Sequence, residues 1–207
     1  MARSLRICIP NVTYHTYSRC IETRDMMEND ALKEAFVLII GSALEKYSFK
    51  LISYQIMDNH FHFIIKTCEN GASISRIMQF IKARYAEKYN RLHSRTGPFW
   101  NERFKDQIVE RLENPSHYLL LLLWYLAFNP VRVKKTNNPR SYRFGCIGFY
   151  LDEEYQPELP LTHHDFYINL GDSFKDRVRA FLQIEEIYKA RLSVKTPILA
   201  LAIKAQY

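Results

Sequence analysis

The order of segments with strand-like and helix-like periodicity constrains the fold of this chain more than any other feature. Residues 50–57 and 61–67 are rich in β-branched and aromatic side chains, and the turn-prone pair Asp58-Asn59 separates them. One strand-like and one helical segment precede them, and a helix, a strand and an apolar helix follow. This order predicts an α+β sandwich with one mainly antiparallel sheet and helices on its face.

The individual segments follow from periodicity and from residues that start or stop helices. We expect strands at residues 7–18, 50–57, 61–67 and 104–110 and helices at residues 30–47, 74–92 and 173–192, with a further helix that begins after Asn114. Pro130 opposes a helical conformation at Asn129, so this last helix should end or kink there.

The charge of the chain is unevenly distributed. Residues 1–150 contain 22 Lys and Arg against 13 Asp and Glu, a net of +9, whereas residues 151–207 have a net of −2. The excess is greatest in residues 76–105. A polyanionic partner such as DNA or RNA would explain it, because neutralised phosphates release condensed counterions. Basic residues that merely solvate a helix face would explain it equally well, so charge alone leaves the partner open.

The cysteines and the apolar segments favour an intracellular protein. Cys8, Cys20, Cys68 and Cys146 have no zinc-like spacing, and we expect them to be reduced thiols. Residues 1–10 do not resemble a signal peptide. The longest apolar run, residues 119–128, is too short to span a bilayer. We therefore expect a cytoplasmic protein that has no membrane contact.

The sharpest local motif is the pair His60 and His62. Side chains two positions apart in a strand share a face, so both imidazoles should point the same way while Phe61 points oppositely. Two imidazoles held a few ångströms apart form half of a metal site. Unrelated histidines on a half-buried strand are the competing interpretation.

A second motif lies on the apolar helix. Tyr125 and Asn129 are four residues apart, and they project from one face of a helix that is otherwise apolar. A core tyrosine with a bonded hydroxyl and a C-terminal asparagine cap would give the same pattern. For each motif taken alone, the purely structural interpretation is favoured.

Together these motifs resemble the REP-associated tyrosine transposases, within the single-tyrosine HUH transposases. Residues 2–19 resemble the first strand of that family, and residues 57–65 its MPNHVHLLI-type strand, with Asp58 where proline is usual. Residues 74–90, 97–104 and 125–132 resemble its next helix, its GxLWQxRF segment and its YIxxNPVRA helix. The resemblance covers most of residues 1–145, and it implies a ferredoxin-like HUH domain there. Residues 146–207 are then a C-terminal extension packed on that domain, with an open role.

The resemblance also implies the chemistry. His60, His62 and Asn129 match positions that bind a divalent ion, Mg²⁺ or Mn²⁺, and Tyr125 matches the nucleophile that attacks a DNA phosphate. The expected activity is that of a single-strand-specific endonuclease and strand transferase, which forms a 5′-phosphotyrosine with metal assistance. The expected substrate is hairpin-forming DNA. Monomers are favoured over dimers.

Basic and aromatic residues near the second helix are the expected contacts for single-stranded or hairpin DNA. They are Arg76, Lys82, Arg84, Lys88, Arg91, Arg95, Trp100, Arg103 and Lys105. Two alternatives remain: a catalytically silent protein that binds DNA hairpins, and a metal-dependent phosphoesterase that uses water. Only the tyrosine mechanism leaves protein covalently attached to cleaved DNA.

Overall fold

The computed structural model describes residues 6–193, so residues 2–5 of the family-like first segment and residues 194–207 of the expected C-terminal extension lie outside it. Its strands are β1 (Thr13–Arg19), β2 (Phe49–Ile56), β3 (His60–Thr67) and β4 (Lys105–Ile108). Its α-helices are α1 (Asp30–Lys46), α2 (Ile74–Leu92), α3 (Pro115–Ala127), α4 (Asn129–Arg132), α5 (Asp165–Ile168) and α6 (Phe174–Ser193). No helix within this range is long and apolar enough to cross a membrane.

The four strands form one sheet in the order β2-β3-β1-β4, and every neighbouring pair is antiparallel. With α1 between β1 and β2 and α2 between β3 and β4, this is the ferredoxin-like arrangement. The predicted fold class is confirmed. The chain after residue 143 also follows the outer edge of β2, where Ile56 N donates to Phe144 O at 2.9 Å.

Alternation along the strands divides the buried residues between two cores. Phe61 and Phe63 of β3 pack with Phe36 of α1 and Ile77 of α2 on one face of the sheet. Ile64, which points the other way, packs with the leucines of α3 on the opposite face. Helices therefore cover both faces, since the sheet is apolar on each side.

The second core is completed by α6. The ring of Trp124 in α3 stacks on Phe181 of α6 with centroids 4.8 Å apart, and its Nε1 donates to Phe181 O at 3.1 Å. Phe128 and Tyr188 extend this contact, with centroids 5.2 Å apart. Residues of the expected C-terminal extension thus pack against α3 through α6. The domain division at residue 145 stays a prediction.

The ends of the elements differ from expectation where side-chain pattern is a poor guide to backbone pairing. β1 begins at Thr13 rather than at residue 7, and β4 is shorter than residues 104–110. The predicted break near Pro130 is present, because α3 ends at Ala127, but it lies at Phe128, and Asn129 itself is helical as the first residue of α4.

Replacing Phe181 with alanine tests the support that α6 gives to α3. Phe181 is fully buried, so Phe181→Ala should lower the free energy of unfolding by about 3–5 kcal/mol. The control Ile187→Ala lies on the same helix at 42% exposure and should cost about 1 kcal/mol or less. Urea unfolding followed by circular dichroism measures both. Equal losses for the two variants would mean that α6 does not pack on α3 as described.

Candidate active site

The two histidines lie at the start of β3, on the sheet face that α3 covers. His60 and His62 alternate with Phe61, so their side chains share the side from which Ile64 projects. Ile64 packs among the leucines of α3, whereas Phe61 lies in the opposite core. The histidine pair therefore faces the helix that carries Tyr125.

The hydrogen bonds of Asn59 determine which nitrogen of His60 carries the proton. Asn59 Nδ2 donates to Thr23 O at 3.1 Å and to Asp25 Oδ1 at 2.8 Å. Its Oδ1 lies 2.7 Å from His60 Nδ1 and must accept, so Nδ1 donates and Nε2 keeps the lone pair. Burial, followed by the charge of Arg19, lowers the pKa of His60 to about 4, so the ring is neutral at pH 7.

His62 is more deeply enclosed, at 6% exposure. Its Nδ1 lies 3.0 Å from His15 Nε2, and the two rings stack with centroids 5.2 Å apart. The rings of Tyr17 and Tyr125 lie 5.5 Å and 5.8 Å from its centroid. Burial is the main reason that the pKa of His62 falls well below its usual value, so this imidazole is also neutral.

Tyr125 and Asn129 approach the histidines from α3 and α4. The half-buried ring of Tyr125 meets His62 edge to face, at an interplanar angle of 89°. The buried side chain of Asn129 makes a polar contact with the His60 imidazole that raises the pKa of His60 against the effect of burial. Asn129 Nδ2 has no hydrogen-bond partner among residues 6–193. The two motifs that are far apart in sequence thus meet at one place.

Two arginines lie beside this cluster. Arg19 is exposed at the end of β1, directly opposite His60 in the strand register. The exposed Arg132 places its guanidinium 5.4 Å from the centroid of the Tyr125 ring. Both positive charges contribute to the lowered pKa of His62. The cluster therefore combines neutral imidazoles with two cations that favour an anionic ligand.

The carboxylate nearest to the histidines in sequence is committed to other contacts. Asp58 Oδ1 lies 2.9 Å from Lys33 Nζ of α1, and Oδ2 pairs with Lys135, which follows α4. Burial would raise the pKa of Asp58, but the hydrogen bonds from Lys135 and Lys33 outweigh it and lower the pKa. Asp58 thus ties α1 and the segment after α4 to the turn before His60.

The donors at this site suit a metal ion only in part. Within residues 6–193, no group of three or more His, Cys, Asp and Glu side chains is arranged to hold a metal. His60 presents the Nε2 lone pair, and the amide of Asn129 is buried without its full set of partners. Two imidazoles and one amide oxygen can ligate a divalent ion, provided that oxygen ligands from elsewhere complete the shell.

The predicted DNA contacts are distributed over a different surface. Most of them are exposed on α2 and the loop after it, on the sheet face opposite His62. Lys82 differs, because its Nζ is buried and donates to Ser18 Oγ at 2.8 Å and Glu102 O at 2.7 Å. Trp100 is half-buried, and its Nε1 donates to Lys82 O at 2.9 Å. Lys82 is therefore a structural residue here and not a surface contact for phosphate.

Four residues of this cluster were not predicted site residues: His15, Tyr17, Arg19 and Arg132. His15 and Tyr17 share a face of β1 by the same two-residue alternation that relates His60 to His62. That alternation was a usable signal, but it becomes informative only once β1 is known to pair with β3.

Comparison with known proteins supplies a family and a fold. The family model described as "Transposase IS200 like" matches residues 8–116, more than half of the 207 residues. The matched stretch contains His60 and His62 and ends before Tyr125 and Asn129. No curated protein matches the chain significantly.

Two solved structures are similar to this chain. One is a REP-associated tyrosine transposase bound to a REP hairpin, 14% identical, with a TM-score of 0.57 over 80% of this chain and 96% of that one. The other is a putative transposase from Deinococcus radiodurans, 12% identical, with a TM-score of 0.38 over 51% of this chain and 85% of that one. The first shares its fold with this chain, in agreement with the resemblance drawn from the motifs.

The neutral histidines make stability depend on pH. In the unfolded chain they titrate near 6.5, whereas burial lowers the folded pKa of His15 to about 4 and that of His62 well below 6.5. At a pH between the folded and the unfolded pKa of a histidine, the unfolded state therefore binds more protons than the folded state. The free energy of unfolding should therefore fall as pH drops from about 6.5 to 5, by about 1.4 kcal/mol per pH unit for each such histidine.

Urea unfolding at a series of pH values measures this dependence above the range in which carboxylates titrate. The variant His62→Gln should show a shallower decline, because one group that must stay neutral is gone. A wild-type profile that is flat from pH 7 to 5 would contradict the buried neutral histidines.

Proposed function

This chain belongs to the IS200-like transposase family, and from that premise we propose that it nicks and rejoins DNA with Tyr125 as the nucleophile. The observation that carries the proposal is the position of the Tyr125 ring, edge-on to His62 with centroids 5.8 Å apart. A tyrosine with a purely structural role is expected to be buried in the core, whereas Tyr125 is half-exposed beside a histidine pair and two arginines. The family supports the transposase class, and this geometry supports the assignment of Tyr125.

The proposed reaction is a transesterification. Tyr125 Oη forms a bond to the scissile phosphorus while the bond from phosphorus to the 3′ oxygen breaks. The phenol loses its proton and the departing 3′ oxygen gains one, so the products are a 5′-phosphotyrosine and a 3′-hydroxyl. The number of phosphoester bonds is unchanged. A second 3′-hydroxyl can therefore reverse the attack and join strands without a nucleotide cofactor.

Arg19 and Arg132 are the residues that would bind the scissile phosphate. Their guanidinium groups are exposed beside the histidines and Tyr125, and each offers several N–H donors to phosphate oxygens. A phosphate bound to Arg132 would lie beside Tyr125, because that guanidinium is 5.4 Å from the centroid of the Tyr125 ring.

His60, His62 and Asn129 would hold a divalent ion, Mg²⁺ or Mn²⁺. When bound, such an ion would polarise the phosphate and offset the charge that develops on it. All three protein donors are neutral, and the nearby Asp58 is paired with Lys33 and Lys135. Among residues 6–193 no carboxylate is thus arranged to ligate the ion, and we expect the ion to bind better when a DNA phosphate is present.

We propose that the substrate is single-stranded or hairpin DNA and that the protein acts as a cytoplasmic monomer. A basic surface on α2 and the following loop suits a phosphate backbone, and it consists of Arg76, Arg84, Lys88, Arg91, Arg95, Arg103 and Lys105. The segment after α2 runs past the end of β1, where Asn101 N donates to Arg19 O at 3.0 Å. DNA on the basic surface would reach the Tyr125 site around this end of the strands.

Trp100 is the aromatic residue best placed to stack on an unpaired base. It lines a groove of about 660 Å³ together with Arg6, Arg103 and Phe104. Phe99 is almost fully buried, at 1% exposure, and belongs to the core instead. An aromatic floor with cationic rims is the usual combination for single-stranded nucleic acid.

A catalytically silent protein that binds DNA hairpins is the second candidate. The basic surface would serve it equally well, since phosphate binding needs no nucleophile. The convergence of Tyr125 and Asn129 on the histidines favours the enzyme, because hairpin binding requires none of these four residues. A phosphoesterase that uses water would leave Tyr125 without a role.

Tyr125→Phe should abolish the covalent adduct between protein and cleaved DNA while leaving DNA affinity nearly unchanged, because it removes only one hydroxyl. A denaturing gel with labelled hairpin DNA detects the adduct, and a filter-binding assay measures affinity. The matched control is Tyr17→Phe, since the Tyr17 ring lies equally close to His62, at 5.5 Å. Adduct formation by Tyr125→Phe and its loss in Tyr17→Phe would identify Tyr17 as the nucleophile.

Removing charge from α2 should weaken DNA binding in a salt-dependent way. Arg84 and Arg91 share Glu87 on their own helix, so the double variant Arg76→Gln and Lys88→Gln removes cations with no carboxylate partner in residues 6–193. The slope of log affinity against log salt should become shallower by about 1 for each lost phosphate contact.

The control for this test is the double variant Lys175→Gln and Arg179→Gln, which removes the same charge from exposed positions of α6. Its salt slope should equal that of the wild type. If both double variants lower the affinity equally, the effect reflects net charge and α2 is not the DNA surface.

A further inference from the structure

The structure points to an additional positioning residue, His15 in β1. We propose that His15 accepts the Nδ1 proton of His62, so that the Nε2 lone pair of His62 faces the site. The inference rests on the proposed function, in which His62 ligates a cation. It concerns which nitrogen of His62 is protonated, a property that can be observed without metal or DNA.

The contact between these rings follows from the register of the sheet. In the β1–β3 pairing Tyr17 lies opposite His62 and His15 lies opposite Ile64, so His15 is the diagonal neighbour of His62. Side chains as long as imidazole reach across this diagonal. The result is a distance of 3.0 Å between His15 Nε2 and His62 Nδ1, in a place where both residues are buried.

A hydrogen bond between two imidazole nitrogens requires one that carries a proton and one that does not. The separation of 3.0 Å is a hydrogen-bond distance, so one proton lies between these two nitrogens. The outer nitrogen of His15, Nδ1, lies 3.4 Å from Tyr118 Oη. Because a hydroxyl both donates and accepts, Tyr118 can complete the chain whichever way the proton lies.

Two arrangements are therefore self-consistent, and they differ at the site. If His15 donates, His62 carries its proton on Nε2 and presents an N–H to the cluster. If His62 donates, Nε2 presents a lone pair, as His60 does because Asn59 accepts its Nδ1 proton. Only the second arrangement gives two matching lone pairs on neighbouring histidines, and only it lets His62 act as a ligand.

The acceptor is needed because a neutral histidine side chain without a partner favours the proton on Nε2, the arrangement that blocks ligation. A hydrogen-bond acceptor at Nδ1 reverses that preference. Asn59 supplies it for His60, and among residues 6–193 His15 is the hydrogen-bond partner of His62 Nδ1. Ligand histidines generally use their second nitrogen for such an outer contact, and its loss commonly costs about 10–100-fold in metal affinity.

The first experiment uses the wild-type protein without metal. Proton–nitrogen correlation spectra of ¹⁵N-histidine-labelled protein at pH 7.5 report which nitrogen of each imidazole is protonated. We expect His62 to carry its proton on Nδ1, with a nitrogen–nitrogen coupling to His15 Nε2 across the hydrogen bond. A His62 protonated mainly on Nε2 would overturn the inference without any need for a variant.

The second experiment compares two substitutions of His15. His15→Phe removes the acceptor, so His62 should shift its proton towards Nε2 and the apparent Kd for Mn²⁺ should rise about 10–100-fold. His15→Gln offers an amide oxygen in place of Nε2 and should restore the wild-type proton position and most of the affinity. Paramagnetic broadening of the histidine signals during a Mn²⁺ titration measures binding even when it is weak.

His163→Phe is the control for a loss of stability alone. His163 is partly buried, stacks on Phe149 and hydrogen-bonds to its backbone oxygen at 3.0 Å, so its loss perturbs the fold away from the site. Unchanged proton position and Mn²⁺ affinity in His15→Phe would contradict the role of His15. If wild-type signals of His60 and His62 do not respond to Mn²⁺, the metal-assisted function fails, while the proton position still decides the inference.

Discussion

The two-residue alternation of side chains along β3 is the constraint on which the rest of the structure depends. Because both faces of the sheet are covered, Phe61, Phe63 and Ile65 of β3 belong to one core and Ile64 belongs to the other. Phe61 and Phe63 enter the core under α1 and α2, and this leaves His60 and His62 facing α3. A shift of one residue in the β1–β3 register would exchange the faces and bury the histidines among the phenylalanines.

The candidate site lies where the apolar second core ends. α3 is apolar on nearly every side because it packs between the sheet and α6, through Trp124 and Phe181. The helix ends at Ala127, three residues before Pro130, and the chain restarts as α4 at Asn129. A largely buried helix and the short helix after it thereby deliver a polar pair to a defined point, where loops alone would position it less accurately.

Electrostatics at this point are set by burial more than by ion pairs. The imidazoles are neutral because water is excluded from them, and Asp58 is paired with Lys33 and Lys135. The remaining local charges are the cations of Arg19 and Arg132, which favour an anion. A phosphate would supply the negative charge that the protein omits, so substrate and metal binding should support each other at the proposed site.

The sequence alone predicted the features that depend on local backbone geometry. The element order, the shared face of His60 and His62, the pairing of Tyr125 with Asn129 and the break at Pro130 follow from periods of 2 and 3.6 residues. These periods hold within one segment whatever surrounds it. The resemblance to the family motifs then related the histidine strand and the Tyr125 helix to one chemistry.

Tertiary structure alone decided the contacts between segments. The burial of Lys82, the proximity of His15 to His62 and the placement of the basic helix on the far face of the sheet depend on strand register and helix packing. Register is a property of two segments far apart in the chain, and no periodicity within either segment encodes it. For that reason the sequence identified the ligand candidates, and the fold identified the residue that orients one of them.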